Sequence, residues 1–180
     1  MSAQLINVAL FQAGWFLCVL YPSALSAAFG LALVGVHSAL QRPHWAPELR
    51  IIGLLSLPGL LLDSLLLGTG VLAVVGSDSS IIPLWLVAIW LLFSATLTHS
   101  LRWMIQRPYL PWIAGPIGGP LAYMAAERLG AITINETPFG LIALALGWGL
   151  VFPLQAWMAR RYLQTGQGAS NEDRQTVATP

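Results

Sequence analysis

Six long apolar stretches follow one another along this chain with little more than turns between them. A soluble domain cannot be built from such a pattern. Soluble chains carry about a quarter charged residues to coat their surface, and here 57% of residues are hydrophobic and 8% charged. A spanning helix needs about 20 largely apolar residues, and each stretch comes close to that length. The expected fold is therefore all-α, an integral membrane bundle of six transmembrane helices. It forms one domain over residues 1–162, followed by a disordered polar tail at 163–180.

The spans are expected at 5–20, 23–40, 51–75, 82–105, 110–132 and 139–158. Tyr21-Pro22 is nearly all that separates the first two, which predicts a tight antiparallel hairpin, because the residue before proline avoids the α region. No Lys or Arg precedes the first stretch, and five more follow it. It reads as a span rather than a cleavable signal. Pro58 interrupts the third stretch and removes a backbone donor that lipid cannot replace, so a neighbouring helix must supply one.

Arginine placement gives an orientation. Six spans put both termini on one side, and that side collects Arg42, Arg50, Arg102, Arg107, Arg160, Arg161 and Arg174. The opposite side has Asp78, Glu136 and only Arg128. The positive-inside rule then places both termini in the cytoplasm, with the bacterial inner membrane as the expected address. Trp45, Trp85, Trp103, Trp112 and Trp157 fall near span ends and are expected to anchor at the headgroups.

Several chemistries are excluded by composition. All eight basic residues are Arg, so there is no phosphate-loop lysine and no Schiff-base lysine. The single cysteine, Cys18, permits no intramolecular disulfide and no thiolate cluster. Three histidines occur without a His-Glu-x-x-His motif or an acid–His pair at ligand spacing, and there is no Gly-x-Ser-x-Gly elbow. The reading is no metal, no cofactor and, lacking a basic run, no nucleic acid.

What remains is a set of polar residues inside apolar stretches. Asp63 lies about 13 residues from Arg50, roughly 20 Å deep by helical rise, where a carboxylate costs about 2.5–3.5 kcal/mol. It reads either as a proton carrier or substrate-binding group, or as a hydrogen-bonded tie between helices. Thr96 to Trp103 is the densest polar cluster. There Arg102 could hold a phosphate or carboxylate and His99 act as acid, base or donor. Alternatively Arg102 snorkels and His99 bonds a neighbouring helix. Gln12 and His37 fall at a similar depth to His99 and could complete a polar, ligand-binding layer. In the fifth stretch Gly115 and Gly119 form a small-xxx-small pattern, suited to close helix packing or a homodimer, whose face continues to Tyr123, a further ligand-binding candidate.

Several strings, taken in order, resemble an uncharacterised family of small bacterial inner-membrane proteins, catalogued as a domain of unknown function. They are Phe11-Gln12-Ala13-Gly14-Trp15-Phe16, Leu60-Leu61-Leu62-Asp63-Ser64, Pro83-Leu84-Trp85-Leu86 with Trp90, His99-Ser100-Leu101-Arg102-Trp103, Gly118-Gly119-Pro120-Leu121-Ala122-Tyr123 and Gly147-Trp148-Gly149. The resemblance implies one compact unit of several transmembrane helices and carries over no site residues. The function expected is a non-catalytic membrane subunit or accessory factor in an envelope or lipid pathway, partnered by the bilayer and by a lipid or a membrane protein. The alternatives are a lipid-modifying enzyme using His99, Arg102 and Asp63, and a small proton-coupled transporter using Asp63.

Overall fold

The computed structural model describes residues 3–41, 44–77, 79–136 and 138–178, with side chains as far as residue 165. Arg42, Asp78 and the side chain of Arg174, which enter the orientation argument, lie outside the described residues. The chain runs α1 (Ala3–Leu20), α2 (Ala24–Leu40), α3 (Trp45–Gly68), β1 (Leu72–Val74), α4 (Leu84–Leu97), α5 (Arg102–Ile105), α6 (Leu110–Arg128), β2 (Ile132–Ile134) and α7 (Phe139–Ala178). Three helices, α1, α3 and the Phe139–Thr165 part of α7, are long and apolar enough to cross a membrane. Helices α2 and α4 are apolar but shorter.

Helix α4 forms the centre. It packs against α1, α2 and α3, and the α6–α7 pair joins through α3 and α7. Its residues are buried nearly all round, from Trp85 and Leu86 to Ala95, Thr96 and Leu97. Small residues bring its neighbours close. A side chain on Gly14 of α1 would run into Leu92, and one on Gly30 of α2 would press on Ala88. The outer faces are apolar instead of polar: Leu25, Phe29, Leu61, Ile117, Leu146 and Leu150 are all exposed, as expected where lipid is the solvent.

Two stretches are shorter as helices than their apolar runs. The third ends at Gly68, and Gly70 (φ +74°) turns the chain into β1. The fifth ends at Arg128, and Gly130 (φ +82°) leads into β2. Positive φ suits glycine because it has no Cβ. The short segments beyond each glycine then pair in an antiparallel ribbon, Leu72 with Ile134 and Val74 with Ile132. The fourth stretch breaks at Thr98–Leu101 before the single turn of α5, whose Ile105 carbonyl accepts from Arg160 Nη1 at 2.6 Å.

Pro58 lies inside α3, where the backbone N–H it lacks leaves the Leu54 carbonyl without its usual donor. The neighbouring carbonyl, Leu55, receives Gln155 Nε2 from α7 at 2.7 Å. Pro116 and Pro120 leave α6 continuous. The backbone of α7 stays helical through Ala178, taking in the segment assigned to a tail.

Candidate functional site

The polar residues form two separate groups, one at an end of the bundle and one at mid-depth. The first is assembled from four elements. His37 sits in the last turn of α2, Glu48 in the first turn of α3, His99 in the break after α4, and Asn7 on α1. Glu48 Oε1 faces both imidazoles, at 2.8 Å from His99 Nε2 and 3.3 Å from His37 Nε2. The two rings lie edge to face, 4.7 Å between centroids. His37 and Glu48 are buried, whereas the His99 side chain is 23% exposed.

Asn7 fixes the proton on His37. Its Nδ2 donates to the Ala95 carbonyl at 3.1 Å, and its Oδ1 accepts from the Ser100 N–H at 3.3 Å and from the Ser100 hydroxyl. A carbonyl can only accept and a backbone N–H can only donate, so the amide has one favourable orientation. Its Nδ2 therefore points at His37 Nδ1, 3.3 Å away. That nitrogen acts as acceptor, and the ring carries its proton on Nε2, facing Glu48.

The second group centres on Asp63, which is 0% exposed. Its Oδ2 accepts from Trp90 Nε1 at 2.7 Å and its Oδ1 from the Tyr123 hydroxyl. Asp63 thus ties α3 to α4 and α6. Glu48 and Asp63 are 15 positions apart on one helix, about 22 Å at helical rise. His99, bonded to Glu48, and Asp63 consequently work at different depths.

Beside Asp63 lies a cleft of about 330 Å³ between α1 and α6, floored by α4. Phe11, Trp15 and Val19 of α1 form one wall, at successive helical turns; Ala114, Gly118 and Ala122 of α6 form the other. Trp90, Tyr123 and Trp148 line the interior, and Leu101 and Met104 reach it from the end that carries the polar group. Helix α1 packs on α2 and α4, and α6 chiefly on α7, so the cleft is held from behind and open sideways. The Trp148 indole N–H sits beside the Tyr123 hydroxyl without a well-formed hydrogen bond.

The structure therefore brings His37 and His99 together, with Glu48 as the residue that sequence reading missed. Glu48 stands next to a proline-punctuated loop and passes for a surface charge. Gln12 faces outward, and Asn7 is the α1 residue of that layer. Arg102 is partly exposed on α5, beside the cluster. Tyr123 joins Asp63. Gly115 and Gly119 are covered from within the chain, because side chains there would occupy the space of Trp148. Trp85 is a correction: it is buried in the core, while Trp45, Trp103, Trp112 and Trp157 are exposed.

These features define an all-helical protein, apart from one short ribbon, whose apolar helices reach membrane-crossing length and enclose an apolar cleft. The chain belongs to the family described as "Protein of unknown function (DUF2878)", whose model matches residues 4–154. No curated protein and no solved structure matches it.

Proposed function

We propose that this is a six-span bacterial inner-membrane protein that holds one lipid chain in the α1–α6 cleft and serves a lipid pathway as a non-catalytic accessory factor. The cleft carries this reading. Its walls are apolar and aromatic, as in sites that grip hydrophobic ligands through shape. From Ala114 to Ala126 the α6 wall runs about 18 Å at helical rise, over half of the roughly 30 Å hydrocarbon thickness. Its open side lets a chain enter from the bilayer without crossing water.

The enzyme and transporter readings both lean on Asp63, and both of its oxygens already serve Trp90 and Tyr123. A working set of His99, Arg102 and Asp63 would also have to act between two depths, since Trp90, bonded to Asp63, lies nine positions before His99, about 13 Å at helical rise. The tie between helices is the reading that fits these bonds.

The test is native mass spectrometry of the protein released from membranes, beside the Gly118→Phe variant. Gly118 lines the cleft and a side chain there meets open space, so phenylalanine fills the cleft without disturbing the helices. The expected result is a retained lipid on the wild type and its loss from the variant. A wild type free of lipid, or a variant that keeps it, rejects the proposal.

A further inference from the structure

We infer that His37, Glu48 and His99 form a binding site for a divalent transition-metal ion of the Zn2+ class. Their ligand atoms all lie within 4.8 Å of one another. Two imidazoles and one carboxylate are a donor set that binds zinc with a fourth position left open. Each comes from a different element of the bundle, so packing holds the set in place. Glu48 is a buried carboxylate whose hydrogen-bond partners among the described residues are these two rings. A dication between the three side chains satisfies that charge. The partly exposed flank of His99 provides the entry path and the open coordination position.

The hydrogen bonds define what binding must change. Both rings now turn Nε2 toward Glu48, and on His37 that nitrogen bears the proton. An ion there takes the Nε2 lone pairs, and each neutral ring carries its proton on Nδ1 instead. The His37 proton moves from Nε2 to Nδ1, and one carboxylate charge is neutralised. The new His37 Nδ1–H needs an acceptor, so the Asn7 amide turns over to present Oδ1. Ser100 Oγ, which can donate or accept, takes the amide nitrogen. The bonds to the Ala95 carbonyl and from the Ser100 N–H are both given up, which weakens the site relative to one with a carboxylate in that second position. Asn7 is accordingly a positioning residue that sets affinity.

The experiment uses the full-length protein in lipid nanodiscs, stripped with a chelator and titrated with Zn2+ alone against a fluorescent competitor. Elemental analysis gives the stoichiometry, and Co2+ in place of Zn2+ reports coordination through its visible absorption. The expected result is one ion per chain in the wild type and its loss in Glu48→Gln and His99→Ala. Asn7→Asp, which offers a carboxylate to Nδ1–H, tightens binding by about 10–100-fold, the usual weight of such outer partners. No ion on the wild type overturns the inference. So does undiminished binding by Glu48→Gln and His99→Ala, or an Asn7→Asp affinity no higher than wild type. Should Glu48→Gln fail to elute as a folded species, His99→Ala and Asn7→Asp decide the matter, since His99 is partly exposed and Asn7→Asp is read as a gain.

Discussion

Asp63 shows how far a single residue can be read. A carboxylate in the middle of an apolar stretch announces itself, because nothing in lipid would carry it unpaired. Its partners do not, since Trp90 and Tyr123 lie 27 and 60 positions away and no local spacing links them. Glu48 is the reverse case. Its sequence neighbourhood looks like an exposed loop, and only the fold reveals it between two histidines. If Asp63 is a tie between helices, Asp63→Leu leaves an indole N–H and a phenol hydroxyl without acceptors. Each stranded donor costs about 1–3 kcal/mol, so the variant should lose several kcal/mol of stability. Asp63→Asn retains one carbonyl acceptor and should lose about half as much. Thermal unfolding in detergent, followed by tryptophan fluorescence, measures both. An unchanged midpoint for Asp63→Leu would remove the tie and return the residue to the proton-carrier reading.

At the scale of elements, apolar length located the helices well and their ends less well. The ribbon was hidden for a physical reason. Leu72–Val74 and Ile132–Ile134 are three-residue segments continuous with apolar helices, and hydropathy does not distinguish a short buried strand from the last turn of a span. The glycines at 70 and 130 are the signal that marks them. In α6 the pattern Gly115-x-x-x-Gly119 announced close packing, but the partner, Trp148 of α7, could not be named from it. Adjacent glycines now provide a matched test. At Gly119 even a methyl group enters the space of the Trp148 indole, whereas at Gly118 it meets nothing within 4 Å. Gly119→Ala should therefore destabilise by about 1–3 kcal/mol through overpacking. Gly118→Ala should be neutral or stabilising by up to about 1 kcal/mol, the helix-propensity difference. Equal effects of the two changes, read as thermal midpoints, would contradict the α6–α7 packing.

For the whole molecule, the question is which way the bundle faces. The aromatic and basic residues answer together. Trp45 begins α3, Trp103 lies on α5, Trp112 is in the first turn of α6, and Trp157 stands one turn before Arg161. All four are exposed at the end of the bundle that holds His37, Glu48 and His99. Arg107 lies over the Trp103 ring at 5.7 Å and Arg161 over Trp157 at 5.6 Å. A belt of indoles with guanidinium groups beside them suits the headgroup layer of the side that retains Arg. The ribbon end has Arg128, and there the Glu127 carboxylate accepts the Ile134 N–H at 2.7 Å, a structural duty. Under the proposed six-span topology the positive-inside rule assigns the cluster end to the cytoplasm, and the proposed metal site would then draw its ion from there. Cysteine labelling tests this directly, because the native Cys18 is 0% exposed and should stay silent. A thiol placed by Ser79→Cys, beyond the ribbon-end turn, should react with a membrane-impermeant maleimide in spheroplasts. A thiol placed by Thr165→Cys, on the exposed continuation of α7, should react only after the membrane is opened. Labelling in the opposite order would invert the bundle and move the ion's source to the outer face; labelling of both thiols in intact spheroplasts would break the six-span topology itself.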